Sequence, residues 1–169
     1  MLGKRELMLL MLAVLLTACT RSQEGNQDRA TRNEAGQVAS EARDAEGNTP
    51  LINAVNNGNT DGVRKLIEDG AQVNATGGTG VTPLMNAAGM GNKEIVQMLI
   101  DKGADVNART PSGYTALMSA SLNGQQEIVK LLLDARADPT LKDVAGKTAA
   151  DYAADKKHNE IVDLLNQRK

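Results

Sequence analysis

Four tripeptides recur at an interval of 33 residues: Thr49-Pro50-Leu51, Thr82-Pro83-Leu84, Thr115-Ala116-Leu117 and Thr148-Ala149-Ala150. The same phase is kept by Gly47, Gly80, Gly113 and Gly146, by Ala54, Ala87, Ala120 and Ala153, by Val63, Val96, Val129 and Val162, and by Leu66, Leu99, Leu132 and Leu165. A register held in five columns restricts the chain to a stacked array, because a unit this short cannot bury its own apolar face and must share it with neighbours. Each buried Val, Leu or Ile contributes about 1.5–3 kcal/mol, so adjacent faces stabilise one another.

The columns also specify local structure. A Thr before Pro starts a helix: the hydroxyl accepts an orphan N–H, and proline gives up a donor that had no partner. First helices are therefore expected near residues 50, 83, 116 and 149, and they are short because Gly58, Gly91 and Gly124 soon follow. Ile95, Val96, Leu99 and Ile100, like Ile128, Val129, Leu132 and Leu133, fall on one face of a longer second helix. Gly70 and Gly103 end it in a left-handed turn. Four units result, at residues 44–75, 76–108, 109–140 and 141–169.

The period, the Gly-x-Thr-Pro-Leu start, the Glu-Ile-Val runs at 94–96, 127–129 and 160–162, and Gly-Ala-Asp-Val-Asn at 103–107 resemble ankyrin repeats over about three quarters of the chain. The resemblance implies a mainly α solenoid of four helix-turn-helix units with short β-turn or hairpin fingers. Three departures matter. Ile52, Met85, Met118 and Asp151 stand where the family has a histidine, so its hydrogen bonding is expected to be missing. Arg136 replaces the cap glycine of unit three, which implies either left-handed strain or a different ending. The fourth unit stops inside its second helix and is rich in lysine, as a solvent-facing terminal cap is.

Ahead of the repeats, Lys4 and Arg5, an apolar run from Leu7 to Leu16, and Leu16-Thr17-Ala18-Cys19 have the layout of an export signal. That run is too short for a span, which needs about 20 residues. Its ending resembles a bacterial lipobox, which implies a signal peptide at 1–18 and lipidation of Cys19, the chain's one cysteine. Thr20 in place of Asp implies the periplasmic face of the outer membrane. Removal of 1–18 takes away Lys4, Arg5 and Glu6, leaving 17 basic against 20 acidic side chains, a mild balance that argues against nucleic acid as a partner. Residues 19–43 then form the lipidated cysteine and a flexible tether, with Val38 as the one sizeable apolar side chain and a short capping helix at about 34–42.

Candidate chemistry is sparse. His158 sits in phase with Asn59, Asn92 and Gln125, a structural slot opening a second helix, and no second histidine exists to build a catalytic or zinc site. Glu94, Glu127 and Glu160 share one repeat position and form a solvated row. Gly77-Gly78-Thr79-Gly80 lacks the lysine of a phosphate loop and falls on a finger. No enzyme, metal or cofactor is expected.

Function is therefore expected on a surface. The resemblance implies a concave protein-binding face made of the fingers and short helices. Carried onto this chain, its contact positions include Asn48, Asn56 and Asn57 in unit one, Thr79, Val81 and Met90 in unit two, Ser112, Tyr114, Leu122 and Asn123 in unit three, and Lys147 and Lys156 in unit four. Val81, Met90, Tyr114 and Leu122 make an apolar centre with a polar rim. Tyr114→Ala is expected to weaken binding while leaving the thermal transition nearly unchanged. Tyr152 is expected to pack under the final cap. The layout resembles ankyrin lipoproteins that neutralise toxic effectors such as phospholipases; the alternative is a periplasmic scaffold or holdase for a resident enzyme in oxidative-stress defence, for which Met85, Met90, Met98 and Met118 are suited. Either would be monomeric when unbound.

Overall fold

The computed structural model describes residues 42–168. Among these, eight helices form four pairs: α1 Pro50–Asn56 with α2 Thr60–Glu68, α3 Pro83–Met90 with α4 Lys93–Asp101, α5 Ala116–Leu122 with α6 Gln126–Asp134, and α7 Ala149–Asp155 with α8 Asn159–Asn166. Each first helix starts as its threonine dictates. Thr49, Thr82, Thr115 and Thr148 accept the backbone N–H three residues on, each at 3.3 Å. Pro50 and Pro83 fill the first turn.

First helices pack on first helices of the next unit, and second helices on second helices. The core runs between the layers: Leu51, Leu84 and Leu117 from the first helices meet Val63, Val96 and Leu99 from the second. The first unit differs from the second in burial. Ala54 and Leu66 are half-buried, whereas their counterparts Ala87 and Leu99 are fully buried under a preceding unit.

Polar clamps supplement this apolar stack. Asn74 donates through Nδ2 to Gly103 O at 3.1 Å and accepts from Asp105 N at 2.8 Å. One period later Asn107 repeats both bonds, to Arg136 O at 3.2 Å and from Asp138 N at 2.8 Å. Near the fingers, Arg43 donates to Thr76 O at 2.5 Å and Arg109 to Lys142 O at 2.6 Å.

The fingers are β-turns. In each, the tip glycine donates back three residues, as Gly47 to Asp44 O at 3.0 Å and Gly113 to Thr110 O at 2.8 Å, and takes a positive φ. One further bond closes the base, such as Gly77 N to Val81 O at 2.8 Å, and no strand is present among the described residues. The hairpin alternative thus reduces to a turn.

Four expectations are refined. Arg136 does adopt the left-handed conformation, φ 66°, so the helix end is kept and the strain accepted. Asp151 makes its own hydrogen bonds at the position that lacks histidine, closing a capping box: its Oδ2 accepts from Thr148 N at 2.8 Å and Oγ1 at 2.7 Å. The second helix of unit four runs over Asn159–Asn166, 8 residues against 9 in the others, so it is one residue shorter rather than cut off midway. Tyr152 packs half-buried against the core and in addition reaches the fourth finger, donating to Asp143 Oδ2 at 2.7 Å. The signal peptide, Cys19 and the tether lie outside the described residues, as does all of the 34–42 capping segment except Ala42. No described helix is long and apolar enough to cross a membrane.

Candidate protein-binding face

Fingers and short helices present one grid of side chains, four units long. The finger side is held by residues three before each tip glycine. Asp44 Oδ1 accepts from Glu46 N at 3.0 Å and Asn48 N at 2.8 Å, Thr110 Oγ1 from Tyr114 N at 3.0 Å, and Asp143 Oδ1 from Ala145 N at 2.9 Å and Lys147 N at 2.8 Å. These side chains fix the fingers by satisfying backbone donors that a turn leaves open. Unit two has Gly77 instead, where a Cβ would lie 2.5 Å from Asn48 Oδ1. Fingers also brace one another, since Val144 N donates to Ser112 O at 2.9 Å.

The contact positions differ in accessibility. Asn56, Asn57, Thr79, Ser112, Asn123 and Lys156 are exposed, while Asn48, Val81, Tyr114, Leu122 and Lys147 are half-buried. Val81 and Tyr114 pack against the core. Met90 keeps 48 % of its surface exposed, and only Val144, at 79 %, exceeds it among the large apolar side chains of the described residues. Met85 and Met118 are buried, so neither is a surface methionine.

The structure brings Tyr114 to Tyr152. Their rings meet edge to face, centroids 5.4 Å apart and planes at 89°, the arrangement favoured by ring quadrupoles. Tyr152 donates its hydroxyl to Asp143 Oδ2 at 2.7 Å. That bond pushes the phenol up to about 12 and holds the Asp143 carboxyl below its usual range. Lys147 stands 5.8 Å from the Tyr152 centroid and bonds Asp155 Oδ2 at 2.6 Å, which raises its ammonium pKa. Burial raises the Tyr114 phenol. The aromatic anchor therefore bridges units three and four rather than standing alone in the centre.

Sequence reasoning placed Tyr152 in packing but missed its pairing with Tyr114 and Asp143, because its column otherwise reads Asn53, Asn86 and Ser119, which looks polar. A signal was present: Asn53 bonds Asp44 Oδ2 at 2.8 Å, the same nine-residue offset as Tyr152 to Asp143. Asn86 instead donates to Asn56 Oδ1 at 2.7 Å, tying unit two to unit one.

On the opposite side the second helices leave grooves, one lined by Lys93, Gln97, Ile100, Glu127, Lys130 and Leu131. Their charges pair across units, Arg64 with Glu94 at 2.9 Å and Lys93 with Glu127 at 3.2 Å, and both pairs are solvated. Glu94 and Glu127 of the glutamate row are thus ion-paired, while Glu160 is exposed. His158 lies on Gly124, where a Cβ would be 2.7 Å from its Cε1, and serves packing between units.

Helix pairs, turn fingers and recurring inter-unit clamps are the features of one repeat class, and the family model described as ankyrin repeats, in three copies, matches residues 10–110, 76–143 and 109–169. The chain belongs to the ankyrin-repeat family. No curated protein matches it. Ankyrin repeats are protein-interaction modules and generally non-enzymatic, so the grid on the finger face of this ankyrin array is where its activity is to be sought.

Proposed function

We propose that this ankyrin protein captures and blocks a partner protein on its finger face while held by a lipid at Cys19 to the periplasmic side of a bacterial outer membrane. The observation that carries the reading is the prearranged Tyr114–Tyr152 pair beside the exposed Val144 tip. Rigid aromatic side chains lose little entropy on binding and are enriched among interface hot spots. The anchor rests on Leu16-Thr17-Ala18-Cys19 after an apolar run. Several acyl chains, at about 0.8 kcal/mol per buried methylene, give lasting attachment. A tethered inhibitor placed beside lipid suits neutralisation of a membrane-directed toxin such as a phospholipase. The scaffold reading drew on methionines, and the burial of Met85 and Met118 removes part of its support.

Affinity capture from periplasmic and competitor extracts tests the reading. Wild-type protein should retain one partner tightly, and Leu122→Arg should lose it without unfolding. Retention of the same partner by the Leu122→Arg protein would place binding elsewhere. Cys19→Ser should move the protein from the membrane to the soluble fraction.

A further inference from the structure

The finger face is electrically graded along the stack. Between residues 43 and 60 one arginine faces two acids, Asp44 and Glu46. Residues 75–92 and 110–126, which supply the fingers and short helices of units two and three, contain no Asp, Glu, Lys or Arg, and Arg109, in the column of Arg43 at the base of the third finger, is held by Lys142 O at 2.6 Å. Residues 142–157 contain four lysines against three aspartates. Much of the terminal charge is used internally. Arg43 is held by Gly47 O and Thr76 O, Asp143 by Tyr152, and Lys147 by Asp155. Glu46 and Lys156 are exposed and form no side-chain hydrogen bond or ion pair with another described residue. One end of the face thus offers a free carboxylate and the other a free ammonium, with an uncharged floor between.

Resting on the proposed finger-face function, we infer that the partner presents an extended segment carrying a cation at one end, an uncharged apolar middle and an anion at the other. The cation meets Glu46, the anion meets Lys156, and the middle lies over Met90, Leu122 and the Tyr114–Tyr152 pair. Charges at the centre of such a segment would lose water and meet no free counter-charge on the short helices of units two and three, where Arg109 is already held by Lys142 O, so the floor rejects them. The spacing follows from helix packing. Three steps of 8–10 Å separate the outer first helices, about 27 Å, which an extended chain covers in about eight residues at 3.3 Å each.

Four synthetic peptides of about twelve residues test this with the full-length chain. All share an uncharged Leu- and Met-containing middle without Tyr, and their two outer positions, eight residues apart, are Lys and Glu, Lys and Lys, Glu and Glu, or Gln and Gln. The protein has two tyrosines and no tryptophan, so its own emission reports on the face. The mixed-charge peptide should bind about fivefold tighter than either same-charge peptide, a difference that shrinks with salt. Lys156→Glu should switch the preference to the Lys–Lys peptide, and Glu46→Lys to the Glu–Glu peptide. Equal binding of all four, or an order unchanged in these variants, overturns the polarity. Absence of binding by every peptide overturns the extended segment. Binding that persists in Leu122→Arg would instead sink the finger-face reading itself.

Discussion

The Tyr152 hydroxyl and the Asp143 carboxylate, 2.7 Å apart, join a short helix to its finger and hold the ring that Tyr114 meets edge-on. Protonated phenol is the favoured state in the fold, with a pKa near 12 against 10.0 for a free tyrosine. A raised folded pKa means that the stabilisation is complete below pH 10 and is lost as pH rises towards 12. Phenolate absorbance should show one tyrosine titrating near 12, and Asp143→Asn should bring it back towards 10.0. On the acid side, the depressed Asp143 carboxyl contributes above the ordinary carboxylate range and is lost as pH falls below it.

The same ring contact alters the expectation for Tyr114→Ala. Removing a half-buried ring that packs on Tyr152 and the core should lower stability by about 1 kcal/mol as well as weaken binding. Tyr114→Phe keeps the packing, so denaturant melts of the two variants separate the contributions.

Arg136 holds φ 66° where Gly70 and Gly103 occupy the same place in earlier units. Arg136→Gly relieves left-handed strain at some cost in unfolded-chain entropy, and should stabilise the protein by about 0.5–1 kcal/mol in a urea titration. No change would mean that the arginine's conformation is unstrained.

Mid-repeat glycines should respond unequally to alanine. A Cβ at Gly91 would sit 2.4 Å from Gln125 Oε1, whereas one at Gly58 meets nothing within 4 Å, although both have positive φ. Gly58→Ala carries backbone strain alone, about 1 kcal/mol, and Gly91→Ala adds displacement of the next unit. Lys157 holds φ 62° in the same column, so the position admits a side chain in the left-handed conformation.

Core truncation should depend on position in the stack. Leu99→Ala should cost about 3 kcal/mol, and Leu66→Ala clearly less, since Leu66 in unit one is half-buried. Thermal denaturation of both variants checks the ranking.

Periodicity made the helix starts legible, since Thr49, Thr82, Thr115 and Thr148 state their capping role locally. It also exposed Gly58, Gly91 and Gly124. It could not choose between strain and a new ending at Arg136, because both preserve the 33-residue spacing. Asn74 and Asn107 stood in phase, yet their bonds reach backbone groups some 30 residues away, and nothing in hydrophobic patterning encodes such reach. The packing of Tyr152 was legible, but its partners Tyr114 and Asp143 were obscured by the polar residues in its column. The finger face was placed by position, whereas its aromatic geometry required the packing of unit four on unit three.

Each asparagine clamp links a unit only to the one after it. A pull on the amino end would therefore peel the protein one repeat at a time rather than rupture it whole. The aromatic end, farthest from that pull, would be the last part to let go of whatever it holds.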